Sequence, residues 1–177
     1  QVPVTLLLCR SEERRGLARK SVSSQRPQLT NVGVHRGVCV EHDDALRAQD
    51  GVFEVARDEL RSGSKESHWI WFIFPQIRGL GMSPNSHYYG IVDASEARAY
   101  LEHPILGGRL RECAEILLDL EGRSAEQIFG YPDYLKFRSS MTLFSLVSEE
   151  GSPFHQALEK YYDGRPDEKT LRILGRR

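Results

Sequence analysis

The amino-acid sequence predicts an all-α fold, a compact array of about six to seven helices, and three observations support it. Apolar residues recur at helical intervals through most of the chain after residue 42. Capping residues and glycines stand where those helices would begin and end. No Asn-Gly or Asp-Gly pair separates two alternating stretches, which would indicate a β-hairpin. The helices are expected to pack around one aromatic core segment at residues 69–74.

Composition indicates a soluble globular domain and argues against several partners. The 177 residues are 40% hydrophobic and 28% charged, which is ordinary for such a domain. Residues 1–40 carry seven basic and two acidic side chains, so the rest of the chain is mildly acidic, which argues against a nucleic-acid surface. No stretch has transmembrane length, so no membrane partner is expected. An odd number of cysteines without CxxC spacing predicts no disulfide framework and a reducing, cytoplasmic location (Cys9, Cys39, Cys113).

Residues 1–41 are predicted to be a separate N-terminal extension. They mix Arg, Ser, Gln and Pro and show no sustained period, which is typical of a disordered tail. A targeting segment is an alternative, because an Arg/Ser-rich, acid-poor stretch resembles a transit peptide. Sequence from a misassigned start site is a third alternative. The helical domain is therefore expected over residues 42–177.

The first helix is predicted from His42 to Gly63, with Gly51 inside it. The run Trp69–Phe74 fits a buried strand as well as a helix, because periodicity cannot separate the two over so few residues. A glycine-rich loop follows at residues 79–86. Capping residues, glycines and prolines then delimit helices over about residues 93–103, 106–120, 124–130, 137–148, 152–161 and 166–174.

Three segments in this order resemble one known family: SHWIWFIFPQIRGLGMSP, EARAYLEHPILGGRLREC and LKFRSSMTLF. They are similar to the DUF1810 family, whose bacterial members are sometimes labelled calpastatin-like. The resemblance spans about residues 45–175 and leaves residues 1–40 outside it. It implies a compact helical domain, and so favours a helix for the aromatic segment. It implies no established activity.

The first functional hypothesis is a pocket for a small planar or phosphate-containing ligand beside the aromatic segment. Polar groups flank the densest apolar run, which is the usual composition of a ligand pocket. His68 is the candidate catalytic residue, as a general base, although a structural role for this imidazole is the alternative. The lysine and hydroxyls near residues 136–140 suit phosphate or carboxylate, although close helix packing also explains the hydroxyls. The predicted ligand-binding residues are His68, Trp69, Trp71, Gln76, Ser83, Lys136, Ser139 and Ser140.

The second hypothesis is a helical protein–protein interaction module without catalytic activity, using an exposed apolar patch or groove. The sequence has no Gly-x-Ser-x-Gly elbow and no catalytic cysteine signature. Its histidines lack metal-ligand spacing, so neither a metal site nor a cofactor is predicted. Whether the protein is an enzyme is left open by the sequence.

Overall fold

The fold was obtained as a computed structural model, which describes the backbone of residues 40–176 and the side chains of residues 42–176. The N-terminal extension predicted for residues 1–41 lies outside the described residues, apart from the first two positions of the first helix. That prediction therefore stays a prediction.

The described residues form ten helices and no β-sheet, which confirms the predicted all-α class. Their number exceeds the predicted six to seven because one predicted helix is divided and two short helices are added. The helices are α1 Val40–Gln49, α2 Phe53–Ser62, α3 Ile70–Ile73, α4 Pro84–Tyr88, α5 Ala94–Glu102, α6 Leu106–Asp119, α7 Ala125–Phe129, α8 Asp133–Ser145, α9 Pro153–Tyr162 and α10 Glu168–Ile173.

The first predicted helix divides at Gly51, which has a φ of 69°. This left-handed conformation suits glycine and ends α1, and the chain re-enters a helix at Phe53. The aromatic segment forms the single-turn helix α3, so the open choice between strand and helix is resolved as a helix. The loop after it contains α4, which Ser83 begins by accepting a hydrogen bond on its side chain from the Ser86 amide.

Capping signals mark several helix ends as predicted. The Asp93 carboxylate accepts the amides of Ser95 and Glu96 at the start of α5. Ser124 and Gln127 form a reciprocal capping box at α7. Gly63 ends α2 in the left-handed conformation. These local bonds explain why the helix boundaries in this part of the chain are readable from the sequence.

Helix α8 is central, and it packs against α3, α5, α7, α9 and α10. Its buried side chains lie within a cluster of aromatic rings. The Phe137 ring stacks on Phe129 with 4.7 Å between centroids and meets Phe74 edge-on at 5.0 Å. Aromatic pairs in these geometries stabilise a core beyond the area they bury. The core therefore joins the aromatic segment directly to α8.

A short backbone pairing closes the loop that contains α4. The Arg78 amide donates to the Ile91 carbonyl at 2.7 Å, and the Ile91 amide donates to the Gln76 carbonyl at 2.8 Å. Gly90 is needed in this closure, because a Cβ there would lie 2.5 Å from the Ser86 carbonyl oxygen. The pairing holds the two ends of the loop together beside α3.

Candidate functional site

A cleft of about 500 Å³ opens between the aromatic segment, the loop after it, α8 and the start of α10. This volume lies within the range of small-molecule sites. Its lining combines aromatic and aliphatic side chains with cationic and hydroxyl groups. The lining residues are Trp71, Gln76, Leu80, Gly81, Met82, Ser83, Ser86, Pro132, Leu135, Lys136, Ser139, Asp167 and Lys169.

Trp71 and Lys136 meet where α3 faces α8. The Lys136 Nζ lies 4.3 Å from the centroid of the Trp71 ring, a cation–π distance. The indole Nε1 of Trp71 is buried and has no hydrogen-bond acceptor within residues 42–176. This part of the cleft thus combines a positive charge, a ring face and an unsatisfied donor.

Asp133 fixes the position of Lys136 and links it to a second lysine. Its two carboxylate oxygens accept from Lys136 Nζ and Lys65 Nζ, each at 2.7 Å. All three side chains are largely shielded from solvent, with 21% of the Lys136 side chain, 8% of Lys65 and 15% of Asp133 exposed. Two ammonium groups share one carboxylate, so the cluster keeps a net positive charge.

The pKa of Asp133 is consistent with this arrangement. Burial by itself raises the pKa of a carboxyl group, because it disfavours the charged form. Hydrogen bonds from Lys136 and Lys65, together with their charges, outweigh burial and hold the pKa of Asp133 below its usual value. Asp133 is therefore an anion at neutral pH and keeps both lysines in place.

The loop wall is held by its own hydrogen bonds. The Ser83 hydroxyl accepts from the Ser86 amide, and the Ser86 hydroxyl donates to the Ser83 carbonyl at 2.7 Å. Gly81 packs closely against this pair, since a Cβ at Gly81 would lie 2.8 Å from the Ser86 hydroxyl oxygen. Met82 then projects outward with 94% of its surface exposed. Hydrogen bonds therefore hold the loop wall, while its apolar edge at Met82 is exposed to solvent.

The third wall comes from the chain entering α10, which α8 holds in place. Arg138 donates to the Arg165 and Pro166 carbonyls at 3.0 and 3.1 Å, and the Thr142 hydroxyl accepts from the Asp167 amide at 2.8 Å. The Asp167 carboxylate in turn caps α10 by accepting from Thr170. These bonds bring Lys169 to the cleft.

The structure brings together five of the eight residues predicted for the ligand site: Trp71, Gln76, Ser83, Lys136 and Ser139. The other three are elsewhere. Trp69 is fully buried, and its Nε1 donates to Glu59 at 2.8 Å. Ser140 is fully buried, without a partner for its hydroxyl in the described part of the chain. His68 is exposed and is not among the cleft residues.

The hydroxyls of α8 also serve the helix. Ser139 donates to the Leu135 carbonyl at 3.0 Å, and Thr142 donates to the Arg138 carbonyl at 2.8 Å. Such bonds to the preceding turn are common for helical Ser and Thr. Ser139 therefore offers its lone pairs to the cleft, while its proton is directed at the backbone.

The residues predicted for the site do not include Asp133, Asp167 or Lys169, nor Leu80 and Met82 of the glycine-rich loop. Asp133 had a detectable signal, because an acid three residues before a lysine on a helix places the two side chains side by side. Lys169 had no signal in the sequence, since it reaches the cleft only through the tertiary contacts of α8 with the chain before α10.

The titratable side chains that line the cleft in the described residues are Lys136, Asp167 and Lys169. Neither histidine nor cysteine lines it among the described residues. Residues 42–176 also contain no group of three His, Cys, Asp or Glu side chains placed to hold a metal ion. None of the helices described here is long and apolar enough to cross a membrane.

Fold and cleft together define an all-helical domain with an open, aromatic and cationic cleft. Residues 42–174 match the family described as "Protein of unknown function (DUF1810)", and the chain belongs to that family. The crystal structure of the conserved hypothetical protein Rv1873 from Mycobacterium tuberculosis is similar to this structure, with a TM-score of 0.74 and 47% sequence identity. The match covers 75% of this chain and 95% of that chain. A comparison with curated proteins finds no match. Neither description states an activity.

Proposed function

We propose that the cleft binds a small molecule that combines a planar or apolar group with an anionic group such as phosphate. The observation that carries the proposal is the contact of Lys136 with both Trp71 and Asp133 at the cleft surface. The Trp71 ring can contact the planar group, and the Lys136 ammonium can bind the anion. The volume of about 500 Å³ accommodates a ligand of this kind.

Charge supports an anion over a cation. Lys136 and Lys169 line the cleft, and its one lining carboxylate in the described residues, Asp167, accepts hydrogen bonds from Thr170. Asp133 neutralises only one of its two lysines, so positive charge remains behind the Trp71 ring. A ligand anion would complete this charge balance at a site that is partly shielded from solvent.

Unused hydrogen-bonding groups give the site a means of orienting its ligand. The Gln76 amide lines the cleft and makes no side-chain hydrogen bond within residues 42–176. The Trp71 Nε1 is buried without an acceptor in the same range. A buried donor left unsatisfied costs about 1–3 kcal/mol, so a ligand or water acceptor here would be stabilising.

A thermal-shift screen of the full chain against nucleotides, sugar phosphates and aromatic carboxylates tests the proposal. A ligand at 100 times its dissociation constant stabilises a protein by about 2.7 kcal/mol, which raises the melting temperature by several degrees. We expect a hit that also changes tryptophan fluorescence, and we expect the fluorescence change to disappear in Trp71→Phe. Trp69 remains in that variant as a buried internal reference. A hit whose fluorescence response survives Trp71→Phe would place the ligand elsewhere.

A protein partner is the second candidate, favoured by the exposure of Met82 at 94% and Tyr131 at 80% beside the cleft. Side chains this apolar and this exposed occur at interaction surfaces. If this candidate is correct, the screen yields no hit, and a partner co-purifies with the wild-type chain but not with Met82→Glu or Tyr131→Glu.

A further inference from the structure

The cleft continues into a second depression on the far side of Lys169. This depression has a volume of about 370 Å³ and is lined by Gly79, Leu80, Lys169, Arg172 and Ile173. Leu80 and Lys169 line both spaces, so they are neighbours rather than separate sites. Ile173 approaches the loop here, since a Cβ at Gly79 would lie 3.8 Å from its Cδ1.

The second depression has a pair of cations with no anionic partner of their own. Lys169 and Arg172 stand three residues apart on α10, which places their side chains next to each other. Neither forms an ion pair with a carboxylate of residues 42–176, and Arg172 donates its Nε to the backbone carbonyl of Glu168. Like charges at this spacing are mildly destabilising in a helix. An anion bound between them would remove that repulsion.

The order of the lining residues defines a path. Trp71 and Lys136 belong to the first space alone, Lys169 belongs to both, and Arg172 belongs to the second alone. A ligand with its ring at Trp71 would therefore meet positive charge first at Lys136, then at Lys169, and finally at Arg172. A ligand with two linked phosphates would reach cations of both spaces.

We propose that the ligand is an organic diphosphate of the nucleoside diphosphate type, with its ring at Trp71 and its terminal phosphate between Lys169 and Arg172. This inference rests on the proposed function of the cleft and specifies its ligand class. The guanidinium of Arg172 offers paired donors to a phosphate, while the lysines act as point charges.

Calorimetric titration of the full chain with the mono- and diphosphates of adenosine, guanosine, cytidine and uridine tests the inference. At low salt we expect at least one diphosphate to bind about tenfold more tightly than its monophosphate, as one added charge-assisted contact predicts. Arg172→Gln should bring that ratio close to one by lowering the affinity for the diphosphate. Arg98→Gln is the matched control, since Arg98 is an exposed arginine of α5 that lines neither space.

Each alternative result has a distinct meaning. Equal affinity for a monophosphate and its diphosphate, with no effect of Arg172→Gln, would overturn the diphosphate inference and leave the proposed function standing. Absence of binding by all the nucleotides would also overturn the inference, and the thermal-shift screen with other ligand classes would then decide the proposed function separately. A diphosphate preference equally weakened in Arg98→Gln would reflect bulk charge and would contradict the assigned position.

Discussion

Trp69 and Trp71 stand two residues apart in the aromatic segment, each with a lysine near its ring, yet their surroundings differ. Trp69 is fully buried, its N–H is bonded to Glu59, and Lys65 Nζ lies 5.1 Å from its ring. Trp71 borders the cleft, its N–H lacks an acceptor in the described residues, and Lys136 Nζ lies 4.3 Å from its ring. We interpret the satisfied tryptophan as structural and the unsatisfied one as functional.

Hydrogen bonds to Glu59 are the reason that we interpret Trp69 as structural. Its carboxylate accepts from the Glu66 amide at 2.8 Å, from the Ser67 amide at 3.1 Å, from the Ser67 hydroxyl at 2.6 Å and from Trp69 Nε1. One acidic side chain of α2 thus holds the last two residues of the link and the first residue of the aromatic segment. No comparable set of bonds holds the Trp71 ring within residues 42–176.

The largest expected effect is the difference in stability between variants of the two tryptophans. Trp69→Ala should lower the free energy of unfolding by about 4 kcal/mol, because it leaves a large cavity and removes one of the hydrogen-bond donors to the Glu59 carboxylate. Trp71→Ala should cost only about 1 kcal/mol, because the ring is already partly exposed and its N–H loses no partner. Urea unfolding of both variants measures the difference. Equal losses would break the distinction between the two residues.

Glu59→Ala is expected to cost about 3 kcal/mol, since it leaves the partly buried donors of Ser67 and Trp69 without an acceptor. The cost should depend on pH. Burial raises the pKa of Glu59, but hydrogen bonds from Ser67, Glu66 and Trp69 outweigh it and lower the pKa overall. A lowered native pKa contributes stability above the unfolded value of about 4.3, and this contribution is lost as the pH falls through the native pKa. Unfolding curves should therefore show that the free energies of unfolding of wild type and variant differ less at pH 3 than at pH 7. A gap that widens in acid would refute the assigned role.

Asp133→Asn should cost about 2 kcal/mol, because it removes the charge that both lysines share. The pKa of Asp133 is also lowered, so its contribution is present above about pH 4 and is lost as the pH falls through the native value. Stability measured from pH 7 to pH 3 should converge for wild type and variant at the acid end. An unchanged difference across that range would mean that Asp133 is not the ionised link between the lysines.

The smallest stability effects should come from the two lysines, at about 1 kcal/mol each. Lys65→Met and Lys136→Met each remove one hydrogen bond to Asp133, so they are matched in what they take from that carboxylate. Lys65→Met should be the more costly, because the side chain is nearly buried and also donates to the Ser67 carbonyl at 2.6 Å. Thermal unfolding compares them directly, and a larger loss in Lys136→Met would make Lys136 the structural member of the pair.

The sequence could predict the helices but not the different surroundings of the two tryptophans. Capping residues such as Asp93 and Ser124 act on their own neighbours, so their bonds are readable locally. Trp69 and Trp71 have the same residue type and share one apolar run, and only the position of Glu59 on α2 distinguishes them. Predicting both as ligand residues therefore placed one in the cleft and one in the core.

The cleft was predictable in part, because some of its residues lie close together in the chain. Trp71, Gln76 and Ser83 lie close in the chain, and the polar groups on α8 stood out beside its apolar positions. His68 has equally suitable neighbours in the sequence, but it lies in a bend before the single-turn helix and is exposed. Lys169 and Met82 join the site through the packing of α10 and the closed loop, which no local pattern encodes.

Ligand binding by Lys136→Met and Lys65→Met is the most direct test of the central claim, because both lysines bond Asp133 but only Lys136 lines the cleft. The measurement is calorimetric titration of both full-length variants with the ligand identified by the thermal-shift screen. The account predicts that Lys136→Met weakens binding at least tenfold, while Lys65→Met binds within about twofold of wild type. Equal weakening in the two variants, or full affinity in Lys136→Met, would contradict the account.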